Sequence, residues 1–479
     1  MRIAMFYTDI ESFNFFVDQL DHEFRSRGHE TFIFDMMHPQ GESPHSYARF
    51  IEFASTKVDL AVCFDGMCVR QDVLIETWDT WETVVVDILM DPPLRFHPTL
   101  ERHSKHYRLF CCDRDHVDYV RRYFPNEVPY VGFMPHVGVM PSQDTPAIPF
   151  AKRKYDILFS GTYYRPQDRL DQLDKLLESR PDIQEIYHLM YQNLLTDSDI
   201  NLEQALLLTL KQKNLSVSAD TLRVLFSYSE NVDWAIRMYQ RERVITVLAE
   251  AGLNLYLLGR GWENLSCARY PNVHRIDDRI PYGQTLAYMA NAKINLNVFP
   301  WFKSGTHDRI FNTLLQHSLP LTDRSAWAEE YFTDGENIAF YDLRHLDRLP
   351  AIAQDLLNNP AKAEGMIEKG YEKVRRNLTW ANCAGWILDA VSEHHLPTKP
   401  RFQENADYFS DKNIGPDNQT ARITEEVMTF GNQIKQVILN LIADEQWAEA
   451  HSMTEQLQTL LPDDPEILNM KQEIMPHVL

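Results

Sequence analysis

The sequence predicts an α/β protein in which two similar halves, each with a mostly parallel, doubly wound sheet, face each other across a cleft. Short apolar runs alternate with helical patterns over residues 2–133, and the same alternation returns after residue 155. The stretch between them, residues 135–154, contains four prolines and is typical of an interdomain linker. A chain of 479 residues is also too long for one compact core, which favours two domains and an appendage.

The first half, residues 1–140, contains six apolar runs that predict strands, at residues 2–7, 31–34, 58–64, 84–89, 107–112 and 128–133. Helical patterns separate most of these runs, at residues 13–27, 47–54, 74–80 and 116–123. Ligands of such sheets bind outside the carboxyl ends of the strands. The turn after the first strand, Thr8 to Glu11, has no GxGxxG sequence, so a dinucleotide cofactor is not expected here.

The second half, residues 155–392, begins with a predicted strand at 155–160 and continues into a long helical insertion, about residues 167–252. Further strands are predicted at 253–258 and 273–276, and a helix at 284–291. The stretch from Lys293 to Asp323 then predicts a buried strand, a polar loop, a helix and another strand. This βαβ stretch is the centre of the functional prediction below.

Beyond the helix predicted at 380–391, the composition changes. Residues 395–420 are polar and rich in proline and glycine, which is typical of a flexible connection. Residues 421–478 predict a helical appendage, in which the sequences WAEA and LLPDDP resemble one tetratricopeptide-type hairpin. One hairpin cannot bury a core alone, so we expect it to pack on the body as a cap, to bind a partner, or to join copies in a homo-oligomer.

The composition argues against several classes of protein. A net charge of −22 disfavours non-specific nucleic-acid binding and attachment to an anionic membrane surface. The N-terminus enters a predicted strand without signal-peptide features, and no apolar run is long enough to span a bilayer. A cytoplasmic location is therefore expected.

The six cysteines lie mostly in apolar stretches, and none forms a CxxC pair or a Cys/His cluster with zinc spacing. Buried free thiols in a reducing compartment are the simplest interpretation. Cys63 and Cys68 could alternatively form a redox pair.

The helix predicted after residue 306 carries polar and charged residues at its start: His307, Asp308 and Arg309. Free backbone N–H groups and the helix dipole attract an anion to such a position, and an arginine can add a forked contact to phosphate. The alternative is an ordinary buried βα unit with a solvated first turn. Trp301 opens the preceding loop and could stack on a sugar ring.

Three arginines of the helical insertion, Arg237, Arg241 and Arg243, occupy a helical face together with Glu242. A solvated or interdomain ion-pair cluster is the preferred interpretation of this face, ahead of a phosphate site.

An ordered series of short sequences in the second half resembles the spore-maturation (CgeB-type) group of glycosyltransferases. The series is LLGRGW at 257–262, IPY at 280–282, YMANAKINLN at 288–297, HDRIFN at 307–312, LPLTD at 319–323 and NIAFY at 337–341. The resemblance covers residues 155–392, and the first 150 residues resemble the group more loosely, chiefly at 84–93. It implies the GT-B architecture of two facing Rossmann-like domains.

The resemblance also implies a function. A sugar would pass from a nucleotide-diphosphate donor, held by the second domain, to an acceptor hydroxyl held mainly by the first. By position, Gly161 and Arg260 would lie near the donor phosphates and Ile280 and Tyr282 near the base. His307 and Arg309 would reach the diphosphate and the sugar, although His307 could instead simply cap its helix and Arg260 could form a packing salt bridge.

One position departs from the group. Asn312 stands where relatives usually have a glutamate that accepts hydrogen bonds from the ribose hydroxyls of the donor. Asparagine keeps an acceptor oxygen but carries no charge, which implies altered donor use. Enzymes of this architecture generally need no metal, because a helix dipole and cationic side chains stabilise the leaving diphosphate, and no cofactor is expected.

An inverting transfer requires a base that deprotonates the acceptor hydroxyl. Asp9, Asp65 and Asp91 are the candidates at predicted strand ends, with His136 as a weaker one. Asp91 is preferred because it follows a six-residue apolar run and precedes two prolines, although a turn-forming aspartate is equally compatible with this pattern. The resulting hypothesis is a metal-independent glycosyltransferase with a protein or glycan acceptor. The alternative is a non-catalytic nucleotide- or sugar-binding protein with a helical interaction tail.

Overall fold

The computed structural model describes residues 1–40, 43–141, 147–276 and 280–392, together with isolated positions between 439 and 475. The connection predicted at 395–420 and most of the appendage predicted at 421–478 lie outside the described residues. Isolated described positions of the appendage, such as Ile442 and Ala450, are helical. The hairpin and any assembly through it stay predictions.

Six described strands form the first sheet: β1 (Arg2–Tyr7), β2 (Glu30–Asp35), β3 (Leu60–Phe64), β4 (Val84–Leu89), β5 (Tyr107–Cys111) and β6 (Val131–Phe133). Their order is β2-β1-β3-β4-β5-β6, and all neighbours are parallel. The connecting helices are α1 (Glu11–Ser26), α2 (Tyr47–Ala54), α3 (Asp72–Trp81), α4 (His97–Glu101) and α5 (Arg114–Tyr123). β6 begins three residues later than predicted because Pro129 has no N–H to give to the sheet.

The second sheet also has six described strands: β7 (Tyr155–Ser160), β8 (Leu255–Leu258), β9 (Val273–Ile276), β10 (Ala292–Asn297), β11 (Leu319–Thr322) and β12 (Ala339–Phe340). Their order is β12-β11-β10-β7-β8-β9, again with parallel neighbours. The prediction of two parallel α/β domains is therefore confirmed.

The predicted helical insertion consists of five helices: α6 (Pro166–Leu176), α7 (Pro181–Thr196), α8 (Leu202–Gln212), α9 (Ala219–Tyr228) and α10 (Glu230–Glu250). α10 is buried on more than one side, with Val232, Ile236 and Val244 all fully buried. A helix of this kind is enclosed by neighbours instead of covering a surface. It therefore runs through the middle of the second domain.

The chain continues through α11 (Tyr282–Ala290), α12 (Asp308–Leu315), α13 (Ala326–Tyr331), α14 (Leu349–Asn358), α15 (Pro360–Asn377) and α16 (Trp380–Ser392). α16 crosses back to the first domain and packs against α1. The ring of Trp380 lies 5.0 Å from that of Phe16, between ring centroids. α1 and α16 thus pack together in the first domain.

The interpretation of all six cysteines as free thiols is wrong in one respect. Cys63 and Cys68 form a disulfide, whereas Cys111, Cys112, Cys267 and Cys383 are free and buried, as expected. Asp65 and Gly66 both have positive φ, 51° and 75°, and turn the chain back after β3. This turn brings the Cα atoms of the two cysteines to 5.7 Å from each other.

Candidate functional site

The second sheet reverses its strand order between β7 and β10, because β8 and β9 lie on one side of β7 and β11 and β12 on the far side of β10. Ligands of open α/β sheets bind at such a point, in the crevice outside the carboxyl ends of the strands. β7 ends at Ser160 and β10 at Asn297. The loops that follow these two residues are therefore the walls of the expected crevice.

Two glycine-containing loops lie against each other at this crevice. The N–H of Gly161 donates to the carbonyl of Leu258 at 2.8 Å. A Cβ atom at Gly259 would lie 2.2 Å from the carbonyl oxygen of Gly161, and one at Gly261 would lie 1.8 Å from that of Tyr163. Both glycines also have positive φ, 123° and 83°, so no other residue would allow this approach.

Arg309 lies in the first turn of α12 and reaches into the crevice. Its Nη1 donates to Oδ1 of Asn297 at 2.7 Å, and its guanidinium carbon lies 4.8 Å from the centroid of the Phe159 ring. A Cβ atom at Gly161 would lie 3.3 Å from Nη2 of Arg309. The structure thus brings together these two residues that the sequence predicts near the donor phosphates. Arg309 is 8% exposed, and burial lowers its pKa.

Arg260, which was also predicted to lie near the donor phosphates, is exposed to solvent, unlike Arg309. Its backbone carbonyl accepts from the N–H of Tyr163 at 2.9 Å and so joins the two glycine-containing loops. Contact between its guanidinium and a phosphate stays a prediction.

His307 caps α12, which is one of the two roles expected for it. Its Nδ1 accepts from the N–H of Arg309 at 3.2 Å. Burial and then the charge of Arg309 hold the pKa of His307 well below its ordinary value, so the imidazole is neutral. Nδ1 also lies 3.2 Å from Oδ1 of Asp308. The capping bond requires an unprotonated Nδ1, and in that tautomer the proton lies on Nε2, which can donate to a ligand.

The sequence interpretation placed Arg241 of α10 in an ion-pair face, ahead of a phosphate site, and the structure shows no such pair for it among the described residues. The residue is 8% exposed, and its Nη1 donates to the carbonyl of Thr162 at 2.6 Å, in the loop after β7. Burial and the nearby Arg309 lower the pKa of Arg241. The available signal was the helix itself, because an arginine within a helix that is apolar on several sides must be buried, and buried charges mark functional sites.

Arg241 and Arg309 share an unusual property. In the part of the chain that the structure describes, neither guanidinium has a carboxylate within ion-pair distance. The hydroxyl of Ser160, at the end of β7, is also buried without a described hydrogen-bond partner. Two buried positive charges and a free hydroxyl at a strand switch point make a site with the chemistry to bind a polyanion.

Ile280 and Tyr282, both predicted near the base, point in different directions. Ile280 packs with an apolar cluster that includes Leu258 and Met289. The Tyr282 ring turns towards the first domain, 5.2 Å from the ring of Phe15. Its hydroxyl donates to Oδ2 of Asp308, and burial followed by this carboxylate raises the pKa of Tyr282 well above its ordinary value.

Asn312 uses its side chain within the protein. Its Oδ1 accepts from the N–H of Val139, at 2.9 Å, in the segment that links the domains. Its Nδ2 donates to the hydroxyl oxygen of Tyr282 at 3.2 Å and to Asp308 Oδ2 at 3.4 Å. Asn312 is 1% exposed. The structure therefore assigns it an interdomain contact, and its predicted contact with the donor stays a prediction.

Asp91, the preferred base, lies in an ion-pair cluster between the domains. Its carboxylate contacts Arg95 at 3.2 Å and Arg237 at 3.0 Å. Burial opposes ionisation, but the two arginines outweigh it and lower the pKa of Asp91, which makes it a weaker base. Its catalytic role stays a prediction. The ion-pair interpretation of the arginine face therefore holds for Arg237.

The other candidate bases are in different surroundings. Asp9 is exposed. Asp65 is 4% exposed, accepts from the N–H of Met90 at 2.8 Å, and has a pKa raised by burial and then by Asp91. His136 lies in the cleft, where its backbone N–H and its Nδ1 both contact the hydroxyl of Thr306, at 2.8 and 3.0 Å.

The loop that begins at Trp301 crosses the cleft and docks on the first domain. Asp113 accepts from the N–H of Ser304 at 3.1 Å, and a Cβ atom at Gly305 would lie 2.7 Å from that of Asp113. Trp301 is 3% exposed, and Nζ of Lys303 lies 3.7 Å from the centroid of its ring. In this structure the ring is therefore buried against Lys303, and sugar stacking on it stays a prediction.

The docking of this loop predicts a pH-dependent stability. Burial and then Asp115 raise the pKa of Asp113 to about 7, against roughly 4 in an unfolded chain. The folded state therefore favours the protonated form, and this contribution is present below pH ~4 and is lost as the pH rises to ~7. Relative to Asp113→Asn, which cannot titrate, the wild type should lose stability over this range, as measured by chemical denaturation.

A constant difference in stability between the wild type and Asp113→Asn over that pH range would contradict the prediction.

None of the described helices is both long and apolar enough to cross a membrane. Comparison with known proteins finds a similarity in sequence for part of the chain. Residues 240–389 match the family model described as "Glycosyl transferase-like". No curated protein sequence matches the chain.

Comparison with solved structures finds several that are similar to this one over most of their length. Sucrose-phosphate synthase from Thermosynechococcus elongatus has 12% identity and a TM-score of 0.47, over 81% of this chain and 98% of that one. A glycosyltransferase from Rickettsia africae has 9% identity and a TM-score of 0.48, over 82% and 98%. HepE from Anabaena, solved in complex with UDP-glucose, has 10% identity and a TM-score of 0.43, over 82% and 99%.

The segment matched by the family model contains most of the candidate site. Arg241 of the insertion, Tyr282 of α11, and His307, Arg309 and Asn312 of α12 all lie within residues 240–389. This segment is therefore similar in sequence to the glycosyl transferase-like family.

Proposed function

We propose that the protein is a GT-B glycosyltransferase of the CgeB-type group. It would transfer a sugar from a nucleotide-diphosphate donor, bound by the second domain, to a hydroxyl of a protein or glycan acceptor held against the first. The proposal includes a cytoplasmic location and independence of metal ions and cofactors. The match of residues 240–389 to a glycosyl transferase-like family supports the reaction class.

The single observation that carries the proposal is the pair of buried guanidinium groups of Arg241 and Arg309 without carboxylate partners among the described residues. A buried unpaired charge costs free energy, so its retention needs an explanation outside folding. A diphosphate at the switch point between β7 and β10 would neutralise both charges.

The same groups suit the chemistry. When the bond between the sugar and the diphosphate breaks, negative charge develops on the leaving phosphate oxygen. Two fixed guanidinium groups and the Nε2 proton of a neutral His307 are donors of the kind that stabilise this charge. Positive charge supplied in this way replaces the role that a metal ion has in other transferases.

The rival hypothesis is a protein on the same fold that binds a nucleotide or sugar without transferring it. Asn312 favours this rival, because an uncharged residue stands in the place of the expected glutamate and is hydrogen-bonded to Val139. Binding distinguishes both hypotheses from a protein without a donor site, and turnover distinguishes them from each other.

A thermal-shift screen in EDTA against UDP, GDP, ADP, TDP and CMP tests donor binding. A ligand at a hundred times its Kd should stabilise the protein by roughly 2.7 kcal/mol, which is a visible rise in Tm. At least one diphosphate should raise the Tm, and its sugar conjugate should be hydrolysed slowly. If none of the five changes the Tm, the proposal fails, and binding without hydrolysis or transfer would favour the rival.

A further inference from the structure

We propose that Asp308 holds a hydroxyl group of the donor, and that the hydroxyl of Tyr282 occupies this position in the present structure. The hydroxyl could belong to the ribose or to the transferred sugar, which offer the same hydrogen-bond chemistry. The inference rests on the proposed function, because it assigns a further contact within the same site.

Asp308 is placed to contact a ligand. It is the first residue of α12, next to Arg309, and its side chain is 16% exposed. It also lines a small cavity between the two domains, whose other lining residues are mostly apolar. A carboxylate in such surroundings requires hydrogen-bond donors, and at present the Tyr282 hydroxyl and Nδ2 of Asn312 supply them.

The present partner of this carboxylate is itself a hydroxyl. Tyr282 donates from its hydroxyl to Oδ2 of Asp308. The Tyr282 side chain comes from α11, in the position that the sequence predicts to contact the donor base. A donor hydroxyl could therefore replace the phenol hydroxyl on the same oxygen at little net cost, since one O–H···O⁻ bond is exchanged for another.

The contacts of Asn312 explain why Asp308, and not Asn312, would hold the donor hydroxyl. It follows Asp308 by one helical turn, so both side chains lie on one face of α12. The amide oxygen of Asn312 accepts from Val139, and its Nδ2 donates towards Oδ2 of Asp308 at 3.4 Å. Asn312 is thus a positioning residue: it fixes the carboxylate and leaves the ligand contact to Asp308.

Displacement of Tyr282 would also affect the contact between the domains. Its backbone N–H donates to Glu11 Oε1 at 2.7 Å, and its ring lies 5.4 Å from that of Phe16. Both partners belong to α1 of the first domain. Donor binding is thereby coupled to the packing of α11 on α1.

The first experiment frees the carboxylate. Tyr282→Phe keeps the ring and its packing but removes the competing hydroxyl. Titration calorimetry with the nucleoside diphosphate found in the thermal-shift screen and with its sugar conjugate should show at least one of them binding about three- to tenfold tighter than in the wild type. Tyr288→Phe, on the same helix and stacked on Tyr155 instead, is the matched control and should leave Kd unchanged. An unchanged Kd in Tyr282→Phe for both the nucleoside diphosphate and its sugar conjugate would overturn the inference.

The second experiment removes the charge and identifies the hydroxyl. Asp308→Asn should weaken binding about tenfold or more, as expected for a lost hydrogen bond to a charged group. If the ribose is held, the loss appears with the nucleoside diphosphate and is absent with its 2′,3′-dideoxy analogue. If the sugar is held, the loss appears only with the nucleotide sugar. Because ligands are compared on one variant, an altered fold cannot produce this pattern.

An equal loss of affinity for all three ligands would overturn the inference, as would no loss for any of them. In both cases the wild type still binds its diphosphate and the proposed function stands. If the wild type binds no nucleoside diphosphate at all, the proposed function fails together with this inference.

Discussion

Replacing Arg309 with alanine is expected to slow the hydrolysis of nucleotide sugars by about 10²- to 10³-fold, the usual effect of removing one preorganised donor from a developing oxyanion. Arg309 is buried, hydrogen-bonded to Asn297, and aligned over Phe159, so its guanidinium is held in place before a ligand arrives. Release of the nucleoside diphosphate, followed by chromatography, measures the effect. Arg309→Lys should be intermediate, because lysine keeps the charge but loses the forked geometry.

Arg241 provides a sharper version of the same test, because α10 contains a matched control. Arg241→Ala should lose diphosphate binding, whereas Arg243→Ala, two residues away and hydrogen-bonded to Gln240, should keep it. Removal of a buried unpaired cation should also leave Tm largely unchanged or raise it. If Arg241→Ala and Arg243→Ala both lost diphosphate binding and both had a lowered Tm, the result would contradict the prediction. The two arginines would then stabilise the fold instead of holding a ligand.

The strands of both sheets could be predicted from the sequence because parallel strands are buried on both faces. The runs at β3 and β4 are therefore almost continuously apolar, which distinguishes them from loops without knowledge of their neighbours. Strand order carries no such local signal. The reversal that locates the crevice arises because the chain, after β9, returns to the other side of β7 to form β10.

The arginines show where the sequence is insufficient. Arg237 and Arg241 are one turn apart on the same helix, and nothing in their own spacing separates their roles. Asp233 and Asp91 neutralise Arg237, whereas Arg241 faces the loop after β7 and has no described carboxylate partner. Asp91 belongs to the other domain, and only the tertiary structure shows that it contacts Arg237 and not Arg241.

Asn312 illustrates the same limit. The sequence shows a missing carboxylate and predicts a changed donor contact. The structure adds that the amide bonds to Val139 of the segment between the domains and that Asp308, one turn earlier, supplies a carboxylate. The sequence shows that Asp308 and Asn312 are one helical turn apart. It does not show that both contact Tyr282, which lies 26 residues before Asp308.

A second large effect is expected from the ion-pair cluster between the domains. Asp233 is fully buried and is held by Arg95 and Arg237. Arg237→Ala would leave Asp233 with one cation in place of two, and breaking a buried pair on one side typically costs about 3–5 kcal/mol. The variant should therefore show a strongly lowered Tm in calorimetry. Arg324→Ala, which removes solvent-exposed pairs with Glu329 and Asp334, should cost no more than about 1 kcal/mol.

The double variant Asp233→Leu/Arg237→Leu should be closer to the wild type in Tm than Arg237→Ala, because it removes both buried charges and leaves Arg95 paired with Asp91. If the double variant lost as much Tm as Arg237→Ala, or more, the role of the cluster would be contradicted.

The same series of variants bears on Asp91, which this cluster connects to α10. If Asp91 acts mainly through its ion pairs, Asp91→Asn should lower Tm in parallel with donor hydrolysis. If it also takes the acceptor proton, hydrolysis should fall much further than the loss of Tm explains, because a missing general base costs about 10²- to 10⁴-fold.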